Sequence, residues 1–184
     1  MSLSHAIRHL LGHLREYLTV LPKEAYTAPV VVLSNATVGQ HTRHIIEFFQ
    51  CLVEQSPQGV VNYELRRRDL DLERDPSSAL VALTALEHGM MNGLNHAASG
   101  DAMPLQIVAG FGQIAPVLVG TTFGREAAFV IEHTIHHLAF VRVGLAAVAP
   151  SVTLPHDFGV APATIQHRTA KLMKDEEPFL VKSE

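Results

Sequence analysis

The chain has 184 residues, of which 47% are hydrophobic and 17% are charged, so it carries enough apolar material for one folded domain. This composition excludes intrinsic disorder for most of the chain and predicts a single domain over residues 1–184. Lys and Arg number 14 against 18 Asp and Glu, a formal charge of −4 that argues against nucleic acid as a partner.

Two helices are predicted in the first third of the chain. Leucine and isoleucine recur at helical spacing over residues 3–20, and Pro22 ends that pattern. A second helix is predicted over about 37–55, because Thr37 and Gln40 have the spacing of a capping box.

The middle of the chain combines a loop with a third helix. Residues 57–75 mix many charges without a clean hydrophobic period, which predicts an ordered loop. Asp75 and Pro76 are typical of an N-cap and a first helical position, so a third helix begins there, and Gly100 ends it.

A hairpin and the longest helix are predicted next. Residues 103–121 are β-branched and interrupted by glycine and proline, which favours a short β-hairpin. The longest helix is predicted over about 123–148, and Pro150 terminates it. The sequence therefore predicts an all-α fold of four long helices, with a short β-hairpin before the last one and an irregular tail from about residue 150.

The cysteine content and the hydropathy of the chain indicate the cellular compartment in which the protein is expected. Cys51 is the single cysteine, so the chain has no intrachain disulfide and no CxxC motif. The first residues interrupt their apolar run with His, Arg and Glu, unlike a signal peptide, and no window approaches the ~18 apolar residues of a membrane span. We expect a cytoplasmic protein with no membrane partner.

The chain contains 12 histidines, and this residue type is the main indication of a functional site. On the second helix His41 and His44 share an inward stripe with apolar residues. On the last long helix His133 and His137 lie on a second inward stripe, with His136 beside it.

These inward histidines predict a metal site. An unpaired polar group in a protein interior costs on the order of 1–3 kcal/mol, so several converging imidazoles need a common partner. His133 and His137 have the i, i+4 spacing that presents two ring nitrogens to one ion, and His44 is the expected third ligand. For His41 and His136 two interpretations stay open, either as additional ligands or as hydrogen-bonded neighbours of the ligands.

The other histidines are interpreted as structural. His5, His9 and His13 fall off the leucine face of the first helix and are expected to face solvent. His88 lies on a polar face of the third helix with Asn92 and Asn95. Three others, His96, His156 and His167, have no usable ligand spacing.

Two carboxylates are candidates for acid or base chemistry. Glu47 follows His44 by one helical turn, and Glu126 precedes His133 by two turns. The alternative interpretation is a solvated Glu47 and a first-turn helix charge at Glu126.

The loop after the second helix carries candidate substrate-binding residues. Tyr63, Arg66, Arg67 and Arg68 could receive an anionic group through the guanidinium fork. The alternative is local pairing of these arginines with the acidic residues that follow them.

Four segments resemble the DinB-like family over most of the chain. They are GQHTRHIIEFF at 39–49, VVNYELRRRD at 60–69, TFGREAAFVIEHTIHHLAFVRVGL at 122–145 and LPHDFGVAPATIQHR at 154–168. The resemblance implies an up-down-down-up four-helix bundle, often a homodimer, with three histidines on a divalent ion such as Zn²⁺ or Ni²⁺. The family's helix-two ligand falls on His44 and its HxxxH pair falls on His133 and His137.

Three protein ligands leave a coordination position open, as in catalytic rather than structural sites. The leading hypothesis is a metal-dependent enzyme that either hydrolyses a small molecule or, as the resemblance implies, transfers a low-molecular-weight thiol to an electrophilic substrate. The alternative is a non-enzymatic metal- or ligand-binding helical bundle that acts through dimerisation or partner binding.

Overall fold

The computed structural model describes residues 2–99, 104–110 and 115–175, with side chains to residue 171. Within these ranges the protein is mostly helical and contains one three-stranded sheet. The elements are α1 Leu3–Val20, α2 Lys23–Thr27, α3 Val38–Gln55, β1 Val60–Val61, α4 Leu70–Arg74, α5 Pro76–Ala98, β2 Leu105–Ala109, β3 Val117–Thr121, α6 Phe123–Val148 and α7 Pro162–Asp175.

Side chains cap the N-termini of the long helices, and two of these caps, Thr37 and Asp75, were indicated by the sequence. Thr37 accepts a hydrogen bond from the backbone N–H of Gln40, and the Gln40 side chain accepts one from Thr37, which completes a capping box. Asp75 caps α5 ahead of Pro76, and Thr122 caps α6. The four predicted long helices are therefore confirmed with nearly the predicted bounds.

The hydrophobic core lies between α1, α3, α5 and α6. Helix α3 packs against α5 and α6, and α1 packs against the same two helices. Their inward faces bury aliphatic and aromatic side chains that are fully shielded from solvent, among them Leu11, Leu14, Ile45, Phe49, Leu83, Met90, Val130 and Leu138. Burying a side chain of this kind contributes roughly 1.5–3 kcal/mol, so this core supplies most of the driving force for folding. None of the helices in the described ranges is both long enough and apolar enough to cross a membrane.

The predicted hairpin is confirmed, and a third strand joins it. Strands β2 and β3 are antiparallel, with Leu105 opposite Thr121 and Ala109 opposite Val117. Strand β1 pairs with β2 in parallel, and its Val60 lies opposite Gln106. The all-α expectation therefore needs a small correction, because this sheet joins the segment after α3 to the segment before α6.

Two further expectations are corrected by the structure. The loop over 57–75 contains β1, a 3-10 turn at Tyr63–Leu65 and α4. The tail expected to be irregular from about residue 150 forms α7 from Pro162, a helix that contains few large apolar residues. Helix α2 was not predicted. Gly100, expected to end the third helix, lies outside the described residues.

Two glycines in helices provide a matched test of this packing. A Cβ atom at Gly39 would overlap the backbone carbonyl of Glu73, whereas nothing lies within 4 Å of a Cβ at Gly12. We expect Gly39→Ala to lower the free energy of unfolding by about 1–3 kcal/mol, the usual range for overpacking. Gly12→Ala should raise it by roughly 0.5–1 kcal/mol, because alanine loses less backbone entropy in a helix. Urea unfolding of both variants measures this, and equal effects would contradict the packing of α3 against α4.

Candidate metal centre

Helices α3 and α6 bring three predicted ligands together. His44 on α3 and His133 and His137 on α6 each offer a ring nitrogen, and the three nitrogens lie within 4.8 Å of one another. Nε2 of His44 lies 2.8 Å from Nε2 of His133, so these two rings share a hydrogen bond. The three side chains are half-buried. These residues could hold a metal ion.

The pairing on α6 follows from helix geometry, because residues four apart lie one above the other on the same face. Leu138 and Val141 are fully buried against the core, and so is Ile45 on α3 beside His44. The hydrophobic faces that join the two helices therefore also place the imidazoles along the line where α3 and α6 meet.

Burial keeps the three rings in the form that binds metal. It lowers the pKa of His44 to about 4, with a further contribution from the nearby His133. Burial also lowers the pKa of His133 to about 4, and that of His137 to about 3, where His44 is the next cause. Since metal binds the deprotonated imidazole, the three side chains carry usable lone pairs at neutral pH.

The donor set and its spacing fit a divalent ion. With metal–nitrogen bonds of ~2.0–2.1 Å, two imidazole nitrogens on a tetrahedral ion stand about 3.3 Å apart. The 2.8 Å between Nε2 of His44 and Nε2 of His133 is within about 0.5 Å of that value, and the third nitrogen lies within 4.8 Å of both. Imidazole ligands suit Zn²⁺ and Ni²⁺, so small side-chain rotations would complete the arrangement.

The two additional histidines have different positions. His41 is outside the three-histidine group, but its Nδ1 lies 3.1 Å from Nδ1 of His137 and its ring stacks on Phe140. Its Nε2 is buried and has no hydrogen-bond partner among the described residues. His136 is exposed and meets the ring of His137 edge-on. His41 therefore lies where it can orient His137, whereas His136 borders the group from the solvent side.

Aromatic rings form one wall of the candidate site. The Phe48 ring stacks on His133 with 4.0 Å between centroids, and Tyr63 stacks on Phe48 at 5.0 Å. Phe129 packs against both Tyr63 and His133. The guanidinium of Arg66 lies 5.0 Å above the Phe48 ring, a cation–π contact that places a positive charge beside the imidazoles.

The arginines of the loop divide into two groups. Arg66 donates to the Tyr63 carbonyl and lies 4.0 Å from Glu47. Arg67 is exposed and pairs with Glu54 at 2.8 Å. Arg68 is exposed and has a positive φ of 53°. The structure therefore brings Tyr63 and Arg66 to the histidines, and it does not bring Arg67 or Arg68 there.

The candidate acid–base residues are buried in hydrogen-bond networks of their own. Glu126 is 0% exposed and accepts hydrogen bonds from the Tyr63 hydroxyl at 2.9 Å, from Thr121 at 2.6 Å and from Arg125 at 2.9 Å. It holds Tyr63 against the aromatic wall, and burial followed by the charge of Glu126 raises the pKa of the Tyr63 hydroxyl. This hydroxyl therefore stays protonated and donates to Glu126.

Glu47 is 2% exposed and accepts a hydrogen bond from the backbone N–H of Asp69 at 2.8 Å. The interpretation of Glu47 as a solvated side chain is therefore wrong. In the part of the chain that the structure describes, neither Glu47 nor Glu126 forms a hydrogen bond or an ion pair with the three histidines.

A second group of possible ligands was missed by sequence reasoning. His9, His13 and Asp157 each offer a ligand atom, and these atoms lie within 4.8 Å of one another. The expectation that His13 faces solvent is wrong, because it is 4% exposed and packs against Phe158. The i, i+4 spacing of His9 and His13 was a usable signal, but no pattern connected them to a carboxylate so far along the chain. His5 and His88 are exposed, as expected.

Comparison with known proteins finds no match, whether with protein-family models, with curated proteins or with solved structures.

The lowered pKa values predict how the metal-free protein responds to acid. An unfolded chain binds protons at these histidines below about pH 6.5, whereas the folded chain binds them only near pH 3–4. Between about pH 6.5 and pH 4, protons therefore bind the unfolded state more than the folded one. The free energy of unfolding should be highest above about pH 6.5 and fall steadily as the pH drops towards 4.

Urea unfolding of chelator-treated protein across this pH range measures the effect. Asparagine does not titrate, so a variant with both His133 and His137 replaced by asparagine should show a smaller change of the free energy of unfolding with pH. The exposed His88→Asn variant should retain the wild-type slope, and identical slopes in all three proteins would contradict the assigned burial.

Proposed function

We propose that this protein is a metal-dependent enzyme of the DinB-like type that binds a divalent ion through His44, His133 and His137. The observation that carries the proposal is the convergence of three half-buried imidazole nitrogens within 4.8 Å. Three ligands leave a coordination position open for a reacting group, as in catalytic sites. We infer a small-molecule substrate and a cytoplasmic homodimer from the resemblance and the composition.

The contacts among the long helices support a four-helix bundle, and the resemblance implies the up-down-down-up order of its helices. Helix α1 contacts α5 and α6, and α3 contacts the same two helices, so each long helix has two principal neighbours. The long connections between α1 and α3 and between α3 and α5 leave room for parallel neighbours as well as antiparallel ones. The ligands lie on α3 and α6, the second and fourth of these helices, as the family resemblance implies.

A bound divalent ion lowers the pKa of a coordinated thiol or water and so supplies a nucleophile at neutral pH. The chain's own residues would bind and orient the substrate. Arg66 offers a positive charge for an anionic group, and Phe48 and Tyr63 offer an apolar wall for the rest of the molecule. His41 would orient His137 through the contact between their Nδ1 atoms.

We favour transfer of a low-molecular-weight thiol, in which a bond forms between the thiol sulfur and an electrophilic substrate carbon while the leaving group departs. Arg66 is suited to this reaction because its charge lies beside the histidines and stabilises an anionic thiol or substrate. Hydrolysis of a small molecule, with water as the nucleophile, would use the same site.

A screen of thiols against electrophilic substrates, with metal-loaded protein, tests the proposed activity. Thiol consumption that is lost in His133→Ala supports the transferase, and substrate loss without thiol supports a hydrolase. Absence of both reactions with a fully loaded site would favour the alternative, a metal- or ligand-binding bundle that acts through dimerisation or partner binding.

The ligand assignment predicts which substitutions remove the ion. His133→Ala and His137→Ala should each abolish tight binding at this site, because each removes one of two ligands that chelate together. His44→Ala should act similarly, while His41→Ala should weaken affinity about 10–100-fold, as expected for a residue that orients a ligand. Elemental analysis after dialysis measures metal per chain, with exposed His88→Ala as the control. Unchanged metal content in the His133 and His137 variants would refute the assignment.

Chelation should leave the helix content nearly unchanged. The buried apolar faces of α1, α3, α5 and α6 stabilise the fold without the ion, so circular dichroism should show nearly the same helical signal in apo and loaded protein. Collapse of the signal on chelation would instead identify a structural metal site and remove the main support for an enzyme.

A further inference from the structure

A second group of metal-ligating side chains lies away from the candidate centre. Helix α1 contributes His9 and His13, and the turn between α6 and α7 contributes Asp157. Nε2 of His9 lies 2.7 Å from Oδ2 of Asp157, and Nε2 of His13 lies 3.6 Å from Oδ1 of the same carboxylate. One carboxylate therefore faces two imidazoles that are one helical turn apart.

The turn that carries Asp157 is fixed by contacts on both sides. The guanidinium of Arg142 donates to the carbonyl of Pro155 at 2.9 Å and, through Nε, to that of Phe158 at 2.9 Å. Phe158 is fully buried and packs against His13 and Tyr17. A side chain held on a rigid turn is a preorganised ligand, because little entropy remains to be lost when it binds.

The hydrogen bonding of His13 is incomplete. Its side chain is 5% exposed, and its Nδ1 has no hydrogen-bond partner among the described residues. Its Nε2 approaches Asp157 only to 3.6 Å, beyond hydrogen-bond range. A buried polar group without a partner is destabilising, and an ion bound at Nε2 would satisfy one of the two ring nitrogens that lack a hydrogen bond.

A cavity of about 310 Å³ opens beside this group. His9, His13 and Asp157 line it together with the apolar side chains of Ile131 and Ile135 from α6. Three polar ligands that converge at a cavity lined by apolar residues are characteristic of small-ligand and ion sites, and the cavity leaves room for water or another group on an ion.

We propose that His9, His13 and Asp157 form a second divalent-metal site, separate from the site formed by His44, His133 and His137. Two imidazoles and one carboxylate are a donor set for Zn²⁺, and the same set binds Fe²⁺ in open sites. The observed separations of 2.7 and 3.6 Å bracket the roughly 3.3 Å expected between two ligand atoms on a tetrahedral ion. A simple ion pair between His9 and Asp157 accounts for the shorter contact but leaves His13 without a partner.

Zinc loading of the full chain tests the second site. Chelator-treated protein is reloaded with Zn²⁺, dialysed and analysed for zinc per chain. We expect two ions in the wild type, one in His133→Ala, one in His9→Ala, one in Asp157→Asn, and none in the variant combining His133→Ala with His9→Ala. Exposed His88→Ala, on another helix, is the matched control and should keep both ions.

The proposal is overturned if the wild type binds one ion that is lost in His133→Ala but kept in His9→Ala. It is also overturned if His9→Ala and Asp157→Asn both keep two ions. Because His9 is exposed, its substitution tests the site without disturbing the core, and circular dichroism checks the fold of each variant. In a background lacking His133 and His137, a Co²⁺ absorption band that disappears with His9→Ala reports the second site alone. A result that refutes the second site therefore leaves the site formed by His44, His133 and His137 unaffected, and the reverse also holds.

Discussion

The fold has to accommodate three imidazoles along the line where α3 packs on α6, and the arrangement of the site follows from this constraint. His44, His133 and His137 lose water when the helices pack, and burial lowers the pKa of each. Two hydrogen bonds, one between His44 and His133 and one between His41 and His137, involve only some of their ring nitrogens. Neutral rings with unused lone pairs in a partly apolar setting are poor core residues and good metal ligands.

The small sheet matters because it places the wall of this site. Strand β1 pairs with β2, and the chain leaves β1 directly into the turn that carries Tyr63. Strand β3 ends at Thr121, whose hydroxyl binds Glu126 in the first turn of α6. Glu126 also binds Tyr63, so one buried carboxylate links the sheet, the loop and the helix that carries two of the three histidines. Glu126, one of two candidates for acid–base chemistry, therefore holds Tyr63 in place in this geometry.

The sequence was most informative where local patterns are strong. Apolar residues at helical spacing predicted the long helices, cap residues such as Thr37 and Asp75 predicted where two of them begin, and the i, i+4 spacing predicted that His133 and His137 would lie together. These features depend on contacts between residues close in sequence, so a single sequence is sufficient to predict them.

Contacts between distant residues could not be predicted in this way. Strand β1 is two residues long and pairs with a strand more than 40 residues later, so it leaves no local pattern. Arg67 pairs with Glu54 rather than with the acidic residues beside it. His13 was expected to face solvent because it lies off the leucine face of α1, and the turn that buries it is too far along the chain to have been predicted.

Helix α6 separates the two groups of ligands. Successive residues on a helix are rotated by about 100°, so residues two apart face nearly opposite sides. His133 and His137 face α3, whereas Ile131 and Ile135 line the cavity beside His9 and His13.

The two groups therefore differ in what an ion would hold together. At the first, an ion would join α3 and α6, which already pack through a buried apolar face. At the second, an ion would join α1 to the turn after α6. That turn is already attached by the Arg142 hydrogen bonds, buried Phe158 and the close approach of Gly159 to the backbone of α6, among other contacts. An ion at the second site would therefore add a further link between that turn and α1. On this argument the first site suits chemistry on a preformed scaffold, and the second suits attachment of the C-terminal segment.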